Sequence, residues 1–192
     1  MQIKFTYKYL GMGFLELINK RQSVRKYTDK PVEKDKLLRC LEAARLSPSA
    51  SNSQPWKFIV IDEPGLKDKV AIETFSTLVN FNKFTLESPV LIAITLEKPP
   101  IVNRIGGRLK KRSWKLMDLG MAAEHFCLQA EEEGLGTCMI GWYNEKSIKK
   151  LLNIPKEKDL ALLISVGYAP EDYKLRTKVR KPIDEMSKFN EY

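Results

Sequence analysis

A single domain that mixes helices with strands is what this sequence predicts, on three observations. Its 192 residues amount to one domain at roughly 150 residues each. The longest apolar runs, 89–96 and 160–166, are 7 to 8 residues long, the length of buried strands and far below the roughly 20 residues that span a bilayer. Stretches with apolar residues at three- and four-residue spacing are interleaved with these runs, and neither a linker nor a repeat of about 20 to 50 residues divides the chain.

The elements follow in chain order. Phe14 to Lys20 sets Phe14, Leu17 and Ile18 at helical spacing, and Glu33 to Leu46, after Pro31, repeats this with Leu37, Leu38, Leu41 and Ala44, so both are expected to be amphipathic helices. Lys57 to Ile61 has β-branched character and is stopped by Asp62, Glu63, Pro64 and Gly65, with a short helix expected over Leu66–Thr74. After the strand at 89–96 comes a basic loop with Gly106 and Gly107, then the longest helical stretch, Ser113 to Glu133. Its small residues Gly120, Ala122, Ala123 and Ala130 let another backbone approach closely, which predicts a central position. Gly134 and Gly136 are expected to end that helix, Asn144 to cap a helix over Glu145–Asn153 ahead of Pro155, and a strand at 160–167 to follow. Residues 13–192 form the predicted domain and 1–12 an N-terminal extension. Within the extension, Ile3, Phe5, Tyr7 and Tyr9 alternate with polar residues that include Lys4 and Lys8. That pattern fits a short extra strand, or a stretch upstream of a second start at Met12, and lacks the continuous apolar core of a signal peptide.

Composition narrows the function. With 43% hydrophobic and 30% charged residues, the chain is excluded from the collagen, disordered and membrane-bundle classes. The formal charge of +9 raises nucleic acid, anionic lipid or a phosphorylated ligand as partners. The excess is local: 98–117 holds seven basic residues and no acid, and 174–188 holds six basic residues against Asp184 and Glu185. Such a run is a solvated face or an anion site. Cys40, Cys127 and Cys138 are odd in number with no C-x-x-C pair, so they read as reduced and buried thiols of a cytoplasmic protein. The single histidine, His125, cannot furnish a metal site and reads as a hydrogen-bonded structural residue. Nothing near it looks like a nucleophile elbow, so no catalytic side chain and no metal are expected.

Four segments carry more than packing. Arg21, Gln22, Ser23 and Arg25 follow the first helix and offer guanidinium forks that suit an oxyanion or a carbonyl-rich ring, or else form an exposed basic loop. Pro48, Ser49, Asn52 and Gln54 lie in a proline-bounded loop ending at Trp56, which reads equally as a ligand loop or as a capped turn. Met139, Ile140 and Gly141 close a segment that begins at Gly134, where backbone could lie against a flat ligand, although the G-x-G-x-x-G spacing of a dinucleotide loop is absent. Lys178 and Arg180 alternate in an extended stretch and point along one side, as suits a phosphate or a solvated tail.

Taken in order, R-x-S-x-R at 21–25, P-S-x-x-N-x-Q-P-W at 48–56, the small-residue helix leading to G-L-G-T-C-x-I-G at 134–141, and K-x-R at 178–180 resemble the nitroreductase family of FMN-dependent oxidoreductases over roughly 13–183. The resemblance implies an α+β fold with a central, mainly antiparallel sheet flanked by helices, in an intertwined homodimer whose two chains build each FMN site. It implies that Arg21, Lys178 and Arg180 hold the FMN phosphate and that Gln22, Ser23 and Arg25 run along the ribityl chain and pyrimidine edge. Pro48, Ser49, Asn52 and Gln54 would reach the flavin from the partner chain, and the Met139–Ile140–Gly141 backbone would cover one flavin face and donate to N5. An asparagine at 80 or 82 also approaches the ring in that likeness, and Trp142 and Phe84 are candidate pocket residues. The implied activity is ping-pong transfer of hydride from NADH or NADPH to the flavin and on to a small-molecule acceptor such as a nitroaromatic or quinone, with Arg25 tuning the potential. The basic stretch 98–113 stands where a lid over the flavin would set acceptor choice. Neither nucleic acid nor membrane is an expected partner. A nucleic-acid-binding domain using 98–115, with Trp114 and Tyr173 stacking on bases, and a flavin-binding protein without turnover are the competing readings.

Overall fold

A computed structural model describes residues 13–97 and 113–192. The extension 1–12 and most of the basic stretch, from Lys98 to Arg112, lie outside the described residues. The expected α+β architecture is found. Strands β1 (Trp56–Ile61), β2 (Val90–Leu96), β3 (Gly136–Ile140) and β4 (Asp159–Gly167) form one sheet in the order β1-β2-β4-β3, and all three pairings are antiparallel. Six helices accompany it among the described residues: α1 (Phe14–Lys20), α2 (Lys34–Arg45), α3 (Pro64–Ile72), α4 (Trp114–Glu132), α5 (Glu145–Leu151) and the single turn α6 (Ile183–Met186).

The period of two along each strand divides the apolar residues between two layers. Ile92, Ile94 and Leu96 of β2, with Phe58 and Val60 of β1 and Ile164 and Val166 of β4, meet α2 through Leu37, Cys40 and Ala44 and α4 through Leu119, Ala122, Ala123 and Phe126. The alternate residues Leu91, Ala93, Ile61 and Leu163 meet Val70 and Ala71 of α3 and Ile148 of α5. Covered on both faces, β2 is buried at every position, which is why it reads as an unbroken apolar run. The small residues of α4 behave as expected on its buried side, where Ala122, Ala123 and Ala130 are fully enclosed and α2 packs closely. Gly120 faces outward, with no atom within 4 Å of the place a Cβ would take.

The structure corrects two expectations. Gly136 does not end α4 but opens β3, the turn being made at Gly134 with φ +74°. The strand escaped notice because its five residues, G-T-C-M-I, are shorter than a periodic signal can register. His125 is exposed on α4 and not an enclosed structural residue. The three cysteines are free and buried as expected, and burial pushes the Cys40 and Cys127 thiols up to about 12. No described helix is long and apolar enough to cross a membrane.

Candidate functional site

After α1 the chain straightens and lies beside β3. Ser23 pairs with Thr137 in parallel, and the Val24 N–H donates to the Thr137 carbonyl at 2.8 Å. Gly136 permits this approach: a Cβ there would stand 2.6 Å from Cγ2 of Val24. Residues 173–180 return along the same segment and are stitched to it. The Tyr173 hydroxyl accepts from the Arg25 N–H at 3.0 Å. Gln22 donates from Nε2 to the Lys174 carbonyl at 3.3 Å, and its Oε1 accepts from both N and Nε of Arg176. Arg176 Nη2 donates to the Ser23 carbonyl, and Lys178 Nζ to the Arg21 carbonyl.

This ribbon concentrates cations. Arg21 Nη2 lies 3.2 Å from Glu124 of α4, but its Nε is buried without a hydrogen-bond partner. Burial together with the neighbouring Arg21 and Arg180 charges holds Lys178 below the ordinary lysine value. Burial raises the Glu131 carboxyl at the far side of the same group. Arg25 is exposed at the β3 end. Burial also raises the thiol of Cys138, against the pull of Arg25, so none of the three cysteines whose values shift upward offers a thiolate at neutral pH.

Between α2 and β1, residues 47–54 adopt a strained loop. Ser51, Asn52 and Gln54 have φ of 51°, 52° and 44°, a left-handed region that non-glycine residues enter at a cost. Ser49 Oγ accepts from the Gln54 N–H at 3.0 Å, and Gln54 Nε2 donates to Asn52 Oδ1 at 2.9 Å. Asp118 of α4, buried, accepts from the Ala50 N–H at 3.1 Å and from the Ser53 hydroxyl at 3.4 Å.

At the end of β3 and just beyond it the chain exposes Met139, Gly141 and Trp142, whereas Ile140 turns its side chain into the core. No atom lies within 4 Å of a Cβ built on Gly141, so the backbone here fronts open space. Asn82 is buried and donates to the carbonyls of Thr74 and Trp142, both at 3.1 Å, so it fixes the turn that carries Trp142. Phe84 is core, tilted against Tyr27 at 6.5 Å between centroids, which removes it from the pocket candidates. Asn80 is exposed.

The fold therefore assembles Arg21, Gln22, Ser23, Arg25, Lys178 and Arg180 along one ribbon beside the β3 end that presents Met139 and Gly141. It holds Pro48, Ser49, Asn52 and Gln54 apart on the α4-anchored loop, with no hydrogen bond between loop and ribbon among the described residues. Sequence reasoning missed Arg176 and Asp118. Arg176 continues the alternation of Lys178 and Arg180, and Asp118 stands four residues before Ala122 on an otherwise apolar face, a signal that could have singled it out. Of the competing nucleic-acid cluster, Lys115 is paired with Asp159 at 3.1 Å, and Tyr173 is half-buried with its hydroxyl occupied.

An antiparallel sheet between helix layers, with a cationic ribbon at the β3 end and a strained polar loop held by α4, defines an α+β domain. Residues 18–168 match the model of the Nitroreductase family, and the chain belongs to that family. An Archaeoglobus fulgidus protein with the provisional name NADH dehydrogenase/NAD(P)H nitroreductase is 28% identical over 83% of this chain and 87% of its own. The structure of an FMN-dependent nitroreductase from Clostridium difficile superposes with a TM-score of 0.74 at 29% identity, covering 93% of this chain and all of that one. An iodotyrosine deiodinase of Thermotoga neapolitana is 26% identical over 83% of this chain and 89% of its own.

Proposed function

We propose that this protein binds FMN and is an NAD(P)H-dependent oxidoreductase of small organic acceptors. The observation that carries the reading is the cation cluster at the head of the ribbon. A buried guanidinium donor without a partner, and a lysine held below its ordinary value by burial and by adjacent cations, are what a bound anion would satisfy. FMN, when bound, supplies a ring that accepts hydride from NADH or NADPH and yields electrons to an acceptor such as a nitroaromatic or quinone, in a ping-pong cycle.

The chain's own residues supply binding and electrostatics. Arg21, Lys178 and Arg180 neutralise the phosphate, with Arg21 Nε as the preformed donor. Gln22 spends one amide hydrogen on Lys174 and keeps the other for the ligand. Ser23 and Arg25 continue along the ribbon toward the ring's pyrimidine edge, where the Arg25 charge favours added electrons. The Met139–Ile140–Gly141 backbone covers one face, its openness at Gly141 leaving room for a flat ring. Exposed Phe14 and Leu15 on α1 and Leu116, Met117 and Met121 on α4 support pairing of two chains into a homodimer, in which Pro48, Ser49, Asn52 and Gln54 of one chain complete the site of the other.

The test is anaerobic titration of the FMN-loaded protein with NADH and NADPH. Bleaching of the flavin bands, followed by reoxidation with a nitroaromatic or quinone, is expected. Bound flavin that resists both reductants would favour a binding protein without turnover, and no FMN binding at all would end the reading.

A further inference from the structure

We infer that Asp118 is a positioning residue, holding the loop 47–54 in the shape that meets the flavin; the inference rests on the FMN reading above. The loop is strained at three of four consecutive residues, Ser51, Asn52 and Gln54, and such geometry persists only where its surroundings over-determine it. Two sets of bonds do so. The first is internal: Asn52 N–H to the Ser49 carbonyl, Ser53 N–H to the Ala50 carbonyl, and Gln54 N–H to Ser49 Oγ. These close the loop on itself but do not fix where it sits.

The second set is Asp118, whose carboxylate takes the Ala50 N–H and the Ser53 hydroxyl. Asp118 is 3% exposed and has no ion-pair partner among the described residues. A buried carboxylate is costly to keep unless its hydrogen bonds are strong, and both of those it makes go to this loop. The helix that carries it is bound to the core just beyond it by Leu119, Ala122 and Ala123. The carboxylate therefore ties the strained segment of the candidate site to a helix packed in the core, and its hydrogen bonds reach neither the ribbon nor Gly141. Ligand groups on Ser49, Asn52 and Gln54 are aimed by a residue that does not meet the ligand.

Wild-type protein is first titrated with FMN; failure of that step removes the FMN reading and leaves the second comparison standing. Asp118→Ala is expected to weaken FMN binding about tenfold or more, and Asp118→Asn, which keeps one acceptor of the same shape, to recover most of the loss. In ligand-free protein, hydrogen exchange at the Asn52, Ser53 and Gln54 amides is expected to accelerate about tenfold in Asp118→Ala, while the Phe126 amide within α4 keeps the wild-type rate. If Asp118→Ala does not fold, Ser53→Ala removes only the longer bond and must show the same pattern at smaller amplitude. Unchanged loop exchange, wild-type FMN affinity in Asp118→Ala, or equal losses in the Ala and Asn variants with uniform acceleration through α4 would each overturn the inference.

Discussion

The basic ribbon and the polar loop reach their geometry by opposite routes. The ribbon joins segments about 150 residues apart in sequence and leaves like charges crowded, with an orphaned donor. The loop joins neighbours within five residues and stores its tension in backbone angles. One half of the candidate site is thus electrostatically incomplete and the other conformationally preset. A ligand would stabilise the first by neutralising it and would select the second as it stands, so substitutions in the two halves should fail differently.

The sharpest expected break in that contrast is Arg21→Ala. Removing a charge-assisted phosphate contact should weaken FMN binding about a hundredfold, yet leave the ligand-free melting temperature near wild type, because a repulsive neighbour of Lys178 goes with it. Isothermal titration beside differential scanning calorimetry reads both. Gly136→Ala drives a methyl into Val24 and should cost about 1 to 3 kcal/mol in denaturant unfolding, lifting the ribbon off β3 and lowering FMN affinity in step. A Cβ at Gly141 meets no protein atom within 4 Å, so the melting temperature of Gly141→Ala should hold while FMN binding falls about tenfold through steric exclusion from the ring. Arg25→Gln should lower the flavin midpoint potential by about 30 mV and slow reduction by NADH, with the redox dye titration as the check.

The smallest effect is the dependence on pH. Lys178 is held below the ordinary lysine value in the folded chain, so the folded apoprotein binds fewer protons there than the unfolded chain does. That destabilising contribution is fully present below the lowered value, fades as pH rises from it to the ordinary one, and is gone above that. A bound phosphate favours the charged lysine, so FMN affinity should decline as pH rises through the lowered value, and a Lys178→Met variant should show a flatter profile across the same alkaline range.

Much of the fold was legible before the structure. The runs at 89–96 and 160–166 are strands because both sheet faces are covered, and the spacing of Leu37, Leu41 and Ala44 places α2 against α4 as drawn. β3 was not legible: Gly134 and Gly136 look alike in sequence, and only Val24 packing over Gly136 distinguishes a strand start from a helix stop. In the site, the cations announced themselves by number and alternation. Asp118 did not, because a single buried polar residue on an apolar face acquires meaning only from what it touches, and its partners, Ala50 and Ser53, lie far along the chain. Phe84 looked like a pocket aromatic for the converse reason, since nothing local told of Tyr27 beside it.

Whether the ribbon cradles the phosphate of a flavin nucleotide is read by comparing FMN with riboflavin, which carries the same ring without the phosphate. Titrated into wild-type and Arg21→Ala protein by flavin fluorescence, FMN is predicted to bind wild type at least about a hundredfold more tightly than riboflavin, with most of that preference lost in the variant. Equal affinities for FMN and riboflavin in the wild-type protein would contradict that role.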